Sequence, residues 1–256
     1  MATIGVFDSG VGGLSILDQI RVQHPSVHVI YLADQRHAPY GERTLAEVRA
    51  RAVAVSTFLL GRGAEAIVVA CNSASAAALH HLRARFSPVP FVGMEPAVKP
   101  AAANSSKRVV GVLATTATFQ GELYASVVDR HAAGVQVIAV PAPGLAAAVE
   151  EGRDELAGDL LVRYLEPLLV AGIDKLVLGC THYPFIAHLI AEVLGPDVEL
   201  VDPSGAVARQ LGRLVDTAGV GSGSVEYLTT GDAGRFGEQL RRLVAGGPEP
   251  GWVTIP

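Results

Sequence analysis

Eight short runs of Val, Ile and Leu, separated by stretches with helical spacing of apolar residues, constrain this chain more than any other feature. The runs are apolar on successive residues. That is the pattern of parallel strands buried on both faces, with helices as crossovers. The spacing predicts strands near Thr3–Phe7, Val27–Leu32, Ala66–Ala70, Val89–Gly93, Val109–Ala114, Gln136–Val140, Lys175–Gly179 and Glu199–Val201. It predicts helices at about Leu14–His24, Leu45–Gly61, Ser75–Arg85, Phe119–His131, Glu155–Val170, Phe185–Val193 and Gly205–Val215. The class is therefore α/β.

At about 150 residues per domain, 256 residues allow one to two domains, and an internal repeat favours two. Gly5-Val-Phe-Asp-Ser9 precedes Val68-Val-Ala-Cys71, and Gly111-Val-Leu-Ala-Thr115 precedes Val177-Leu-Gly-Cys180; the glycine-to-cysteine offsets are 71 − 5 = 66 and 180 − 111 = 69. The alternative is coincidence between two ordinary strand-to-loop junctions. Glu95-Pro-Ala-Val-Lys-Pro-Ala-Ala-Ala-Asn104 reads as a hinge, and Asp202-Pro-Ser-Gly205 as the turn that returns the chain to the first half. The C-terminal helices and Trp252–Ile255 then pack on that half. The expectation is two pseudo-symmetric doubly wound domains with parallel-sheet cores. Residues 1–96 plus 206–256 carry Asp8 and Cys71, and residues 97–205 carry Glu150 and Cys180.

Twenty basic against 25 acidic residues leave a formal charge of −5, with no Lys/Arg run to mark nucleic acid or an anionic membrane as a partner. Asp8 interrupts the N-terminus before a signal-peptide core can form, and no apolar run reaches the roughly 18 residues of a spanning helix. The expected location is the cytoplasm. Two cysteines are too few for a disulfide framework, so both read as free thiols.

Each cysteine follows a strand and precedes a helix, in Ala70-Cys71-Asn72-Ser73 and Gly179-Cys180-Thr181-His182. Ligands of open α/β sheets bind outside the carboxyl ends of the strands, and a helix N-terminus lowers a thiol's pKa. A single free cysteine is ordinarily a small buried hydrophobe, but two in equivalent contexts favour chemistry. Asp8-Ser9-Gly10-Val11-Gly12-Gly13 lets backbone approach a ligand closely, yet it fails as a dinucleotide fingerprint and as a P-loop. Asp8 is equally readable as a helix cap. Tyr40-Gly41 closes a polar segment whose plain reading is a Pro-containing turn. His182 suits an acid/base partner or, with both thiols, a metal site. Glu150 ends the apolar stretch Leu145–Val149 and by itself reads as a solvated carboxylate.

The segments Phe7-Asp-Ser-Gly-Val-Gly-Gly-Leu14, Ala38-Pro-Tyr-Gly41, Ala70-Cys-Asn-Ser-Ala-Ser-Ala76, Leu113-Ala-Thr-Thr-Ala-Thr118, Leu178-Gly-Cys-Thr-His-Tyr-Pro184 and Thr230-Gly-Asp232 stand in order over nearly the whole chain. Together they resemble the glutamate racemases of the aspartate/glutamate racemase superfamily. The aspartate-acting relatives carry Glu where this sequence has His182. Departures from the family pattern are Ala33 for glycine, Ser73 for threonine and Ala142 for cysteine.

The resemblance implies an active site between two α/β domains and cofactor-independent interconversion of L-glutamate and D-glutamate, the latter for peptidoglycan. It implies Cys71 and Cys180 as the two bases, Cys180 acting on L-glutamate and Cys71 on D-glutamate. Asp8 then assists Cys71, His182 assists Cys180, and Glu150 serves the second half-site. Substrate contacts are implied at Asp8, Ser9, Tyr40, Gly41, Asn72, Ser73, Thr115, Thr118, Thr181 and His182. No metal or cofactor is expected, nor direct nucleic-acid or membrane binding. A homodimer is expected, and DNA gyrase is left open as a partner for which no motif speaks.

Inverting an α-carbon without an electron sink requires a proton carrier on each face and hydrogen bonds to the substrate carboxylate. Ser9, Asn72, Ser73 and Thr181 are the donors at hand. Lys99, Lys107 and Lys175 sit in no context that suggests a Schiff base. The rival readings are a related amino-acid or hydantoin racemase, a zinc hydrolase using Cys71, Cys180 and His182, and a regulatory binding protein.

Overall fold

The computed structural model describes residues 2–219, 223–244 and 250–255; Met1, residues 220–222 and 245–249, and Pro256, all within the predicted first domain, lie outside the described residues. Along the chain the strands are β1 (Thr3–Asp8), β2 (His28–Ala33), β3 (Ala66–Val69), β4 (Phe91–Gly93), β5 (Val109–Ala114), β6 (Gln136–Pro141), β7 (Lys175–Gly179), β8 (Glu199–Val201), β9 (Val225–Thr229) and β10 (Gly251–Trp252). The α-helices are α1 (Leu14–Gln23), α2 (Leu45–Gly61), α3 (Asn72–Arg85), α4 (Val98–Asn104), α5 (Thr116–Gln120), α6 (Glu122–His131), α7 (Leu145–Glu151), α8 (Asp154–Val170), α9 (Ala187–Leu194), α10 (Ser204–Leu214) and α11 (Ala233–Leu243).

The strands form two sheets, in the orders β10-β9-β2-β1-β3-β4 and β6-β5-β7-β8, with every pairing parallel. Raising each strand number of β2-β1-β3-β4 by four reproduces the second sheet, so the repeat read from the sequence is a repeat of topology. The order reverses at β1/β3 in the first sheet and at β5/β7 in the second. Such a switch point is where the carboxyl ends of an open α/β sheet leave a crevice.

Both faces of both sheets are covered, as the unbroken apolar runs require. In β3, Ala66 and Val68 face one core cluster while Ile67 and Val69 face another. Leu113, Leu176 and Leu178 are separated in the same way from Val112 and Val177. Among the described residues, no helix is long and apolar enough to cross a membrane.

Helix boundaries follow local chemistry. Helix α2 begins where the sequence predicts, because Thr44 and Glu47 close a capping box, worth about 1 kcal/mol. Helix α3 starts three residues earlier than predicted, with extended Cys71 as its N-cap; polar Asn72 and Ser73 hide its first turn from an apolar period. The expected hinge is in part helix α4, where Pro100 occupies the first turn and needs no N–H. The single helix expected over Phe119–His131 is two, broken at extended Gly121. A Cβ on Gly121 would lie 2.6 Å from the Ala76 Cβ, so the break lets this segment press on α3. Strand β9 was not predicted, and it carries β10 on its outer edge.

The amino ends of β5 and β7 are tied by Asp174. Its carboxylate accepts from Ser105 Oγ (2.6 Å), Ser106 N–H (2.6 Å), Ser106 Oγ (2.8 Å) and Lys107 N–H (3.0 Å). These donors overcome the effect of burial and hold the carboxyl well below the usual range. A folded-state pKa below the unfolded value of about 3.9 stabilises the protein above that pH, and the gain is lost as pH falls through the folded value. Asp174→Asn should therefore lower the urea midpoint at pH 7, corresponding to a loss of about 1.5–3 kcal/mol of unfolding free energy, the range for hydrogen bonds to a charged group. The gap from the parent protein should narrow toward pH 3. Equal midpoints at pH 7 would show that the four contacts contribute nothing.

Candidate active site

The loops at the two switch points face each other across one cavity of about 250 Å³, whose lining includes Cys71 and Cys180. That is below the roughly 300 Å³ at which pockets hold drug-sized ligands, so the site suits a small metabolite. No lysine is among its lining residues. Both cysteines are free and buried.

The glycines after β1 serve the approach of the two halves. A Cβ on Gly10 would lie 2.5 Å from Glu150 Oε2, and one on Gly12 would lie 2.5 Å from His182 Nδ1. The sequence assigned this glycine run to a ligand. What it admits are the Glu150 and His182 side chains of the opposite half. Asp8 is not the cap of α1, whose N-cap is Gly13 with no side-chain bond.

Asp8 is fully buried behind the cavity wall. Its Oδ1 accepts from Gly10 N–H (2.8 Å) and Ser9 Oγ (3.1 Å), and its Oδ2 accepts from Thr181 Oγ of the other half (2.8 Å). Burial raises its pKa above the ordinary aspartate value, against the pull of His182 and the Gly10 N–H. The Cys71 thiol is pushed up as well. Burial and the Asp8 charge outweigh the N–H groups of Ala74 and Ser9. This corrects the expectation that the helix start would lower it: the dipole is real, but desolvation is the larger effect. Cys71 is thus a thiol beside a carboxyl group that holds protons readily.

The Cys180 side has the opposite character. His182 Nδ1 lies 3.7 Å from Cys180 Sγ, and its Nε2 lies 2.6 Å from Glu150 Oε2. Glu150 also accepts from Val11 N–H (3.0 Å) and Gln35 Nε2 (2.8 Å). Burial alone would raise the Glu150 pKa, but His182 and these donors hold it below the usual range. Burial disfavours a charged His182, yet its bonds to Cys180 and Glu150 raise its pKa well above 6.5. Carboxylate, imidazole and thiol form a line along which a proton can be held at the ring. Glu150 is therefore no solvated carboxylate; its side chain is 14% exposed.

Of the remaining predicted residues, Ser9, Tyr40, Gly41, Asn72, Ser73 and Thr181 line the cavity. Neither amide atom of buried Asn72 has a hydrogen-bond partner in the protein, the condition of a group that a bound polar molecule completes. Tyr40 donates instead to buried Asp34 (2.5 Å), which also pairs with Arg51 (3.1 Å). Thr115 lines the cavity and bonds Ser73 Oγ across it (2.9 Å), while Thr118 stands behind, 2.9 Å from Thr115. Among the described residues no three His, Cys, Asp or Glu side chains are grouped so that they could hold a metal ion. Sequence reasoning missed Gln35, Gln239 and Arg235. The last of these lines the cavity from α11, and no motif marks any of the three.

Comparison with known proteins agrees with this geometry. Residues 14–211 match the Asp/Glu/Hydantoin racemase family. The chain is 50% identical over 221 residues to a glutamate racemase of Pseudomonas syringae, covering 86% of this chain and 80% of that one. It is 47% identical to a glutamate racemase of Ectopseudomonas mendocina, with 95% of each covered. Among solved structures it resembles a glutamate racemase isoform of Bacillus anthracis (TM-score 0.88, 30% identity, 100% and 97% covered). It also resembles Escherichia coli glutamate racemase bound to L-glutamate and an activator (TM-score 0.86, 33% identity, 100% and 99% covered). The chain belongs to the Asp/Glu/Hydantoin racemase family.

Proposed function

We propose that the protein interconverts L-glutamate and D-glutamate by a two-thiol mechanism, as a homodimer in the cytoplasm, and so supplies D-glutamate for peptidoglycan. The observation that carries this reading is the pair of thiols at equivalent strand ends of two repeated sheets, opening on one small cavity. The substrate is inferred from the glutamate racemases that the chain resembles over most of its length. We also infer that residues 1–96 with 206–256 and residues 97–205 are the two domains. Strand membership supports that division, since β1–β4, β9 and β10 build one sheet and β5–β8 the other.

In the L-to-D direction the Cys180 thiolate, paired with the His182 imidazolium, takes the α-proton. The electron pair moves into the substrate carboxylate, which the unpartnered Asn72 amide stabilises as a hydrogen-bond donor. Cys71, held as a thiol, gives its proton to the opposite face. The product is D-glutamate with a Cys71 thiolate and a Cys180 thiol. The raised proton affinity of Asp8 lets it exchange that proton with Cys71, while His182 does so for Cys180. The reverse reaction uses the same carriers in the opposite order.

Incubation with L-glutamate in chelator, without pyridoxal phosphate, should carry optical rotation to zero. An absolute requirement for either additive overturns the two-thiol reading. Asp8→Asn and His182→Asn should each lower kcat by about 10²–10⁴-fold, the range for loss of a positioned acid or base. Both variants should keep the parent melting temperature within a few degrees. Parent-level turnover in either folded variant would remove that residue from the proton path.

In deuterated water, Cys71→Ser should exchange the α-hydrogen of L-glutamate with retention, and Cys180→Ser that of D-glutamate. Mass spectrometry after chiral separation reads label and configuration together. Equal labelling of both enantiomers by either variant contradicts one thiol per face.

A further inference from the structure

Glu150 belongs to α7, beside the second sheet, yet much of what holds it comes from the first. The Gln35 amide, just beyond β2, donates to Glu150 Oε1 (2.8 Å) and to Gln239 Oε1 (2.7 Å). The Gln35 carbonyl oxygen accepts from Thr229 Oγ at the end of β9 (2.9 Å). Gln239, buried on α11, donates in turn to the backbone carbonyl of Glu150 (2.9 Å). Arg242, one turn further along α11, donates to the carbonyls of Val149 (3.0 Å) and Glu150 (3.1 Å). A carboxylate only accepts, so Gln35 must present its nitrogen to Glu150, and its oxygen is then left for Thr229. The orientation of the whole chain of amides is fixed by the charge it serves.

We propose that Gln35 and Gln239 are positioning residues for the Cys180 side of the site, holding Glu150 and through it the His182 ring from the first half of the chain's fold. The C-terminal helix α11 is on this account a working part of the proton path. The inference rests on the Glu150–His182–Cys180 reading above. The groups facing Glu150 are His182, with Asp8 and Tyr31 further off in the first half and Arg242 at its backbone. Gln35 is among the donors that hold the Glu150 carboxyl low, so its removal raises the pH at which Glu150 takes up a proton.

The test compares Gln35→Leu, Gln35→Met, Gln239→Leu and His182→Asn for melting temperature, the pH dependence of kcat, and primary isotope effects with α-deuterated L- and D-glutamate. Because racemisation has an equilibrium constant of one, kcat/KM must remain equal for the two enantiomers in every variant. The isotope effects need not. The glutamine variants should fold and lose about 10- to 100-fold in kcat, the range for loss of a hydrogen bond to a charged group. The acid limb of Gln35→Leu or Gln35→Met should move to higher pH. The isotope effects for the two enantiomers should shift in opposite senses, with the same signs as in His182→Asn. Parent kcat and pH profile in folded glutamine variants, or isotope effects that shift together, overturn the inference. In either case a large loss in His182→Asn leaves the underlying reading standing, whereas parent-level kcat in His182→Asn overturns both.

Discussion

The contact on which the site depends is the Glu150 carboxylate lodged against the turn after β1. It accepts the Val11 N–H and faces His182 Nε2, so one charged group joins the backbone of the first half to the imidazole of the second. A buried carboxylate without partners would neutralise itself. Here an imidazole, a backbone N–H and an amide keep it ionised. The closeness needed for this leaves no space for side chains at Gly10 and Gly12.

From that contact follows the asymmetry of two thiols that the repeat places in equivalent positions. Cys71 sits with Asp8, and two potential anions in a buried wall cannot both be charged without cost, so a proton is retained between them. Cys180 sits with His182, whose charge Glu150 balances. The repeated topology supplies two thiols, and their unlike partners give them unlike surroundings, a carboxyl group beside Cys71 and an imidazole beside Cys180.

Much of this was legible in the residue order. Strands such as Val109–Ala114 and Lys175–Gly179 stand where the apolar runs put them, because a strand buried on both faces leaves an unbroken signal. Strand β9, Val225–Thr229, was missed, since Glu226 interrupts its run and its first two residues are only half-buried. The break at Gly121 and the early start of α3 were missed for a related reason. Each is decided by what the segment packs on, and apolar periodicity carries no record of that.

By itself the sequence determined the α/β class, the repeat of two halves marked by the glycine-to-cysteine offsets, and the two thiol junctions. All are properties of residues near one another in the chain, where strand and helix periods and turn chemistry act. Tertiary structure alone decided that Glu150 is buried and ionised, that the Cys71 thiol is raised instead of lowered, and that Gln35 and Gln239 reach the carboxylate. Val11 and Glu150 are 139 positions apart, and Gln35 and Gln239 are 204 apart. Burial and charge pairing depend on which distant groups share a dry space, and only the meeting of the two halves around the cavity brings those groups together.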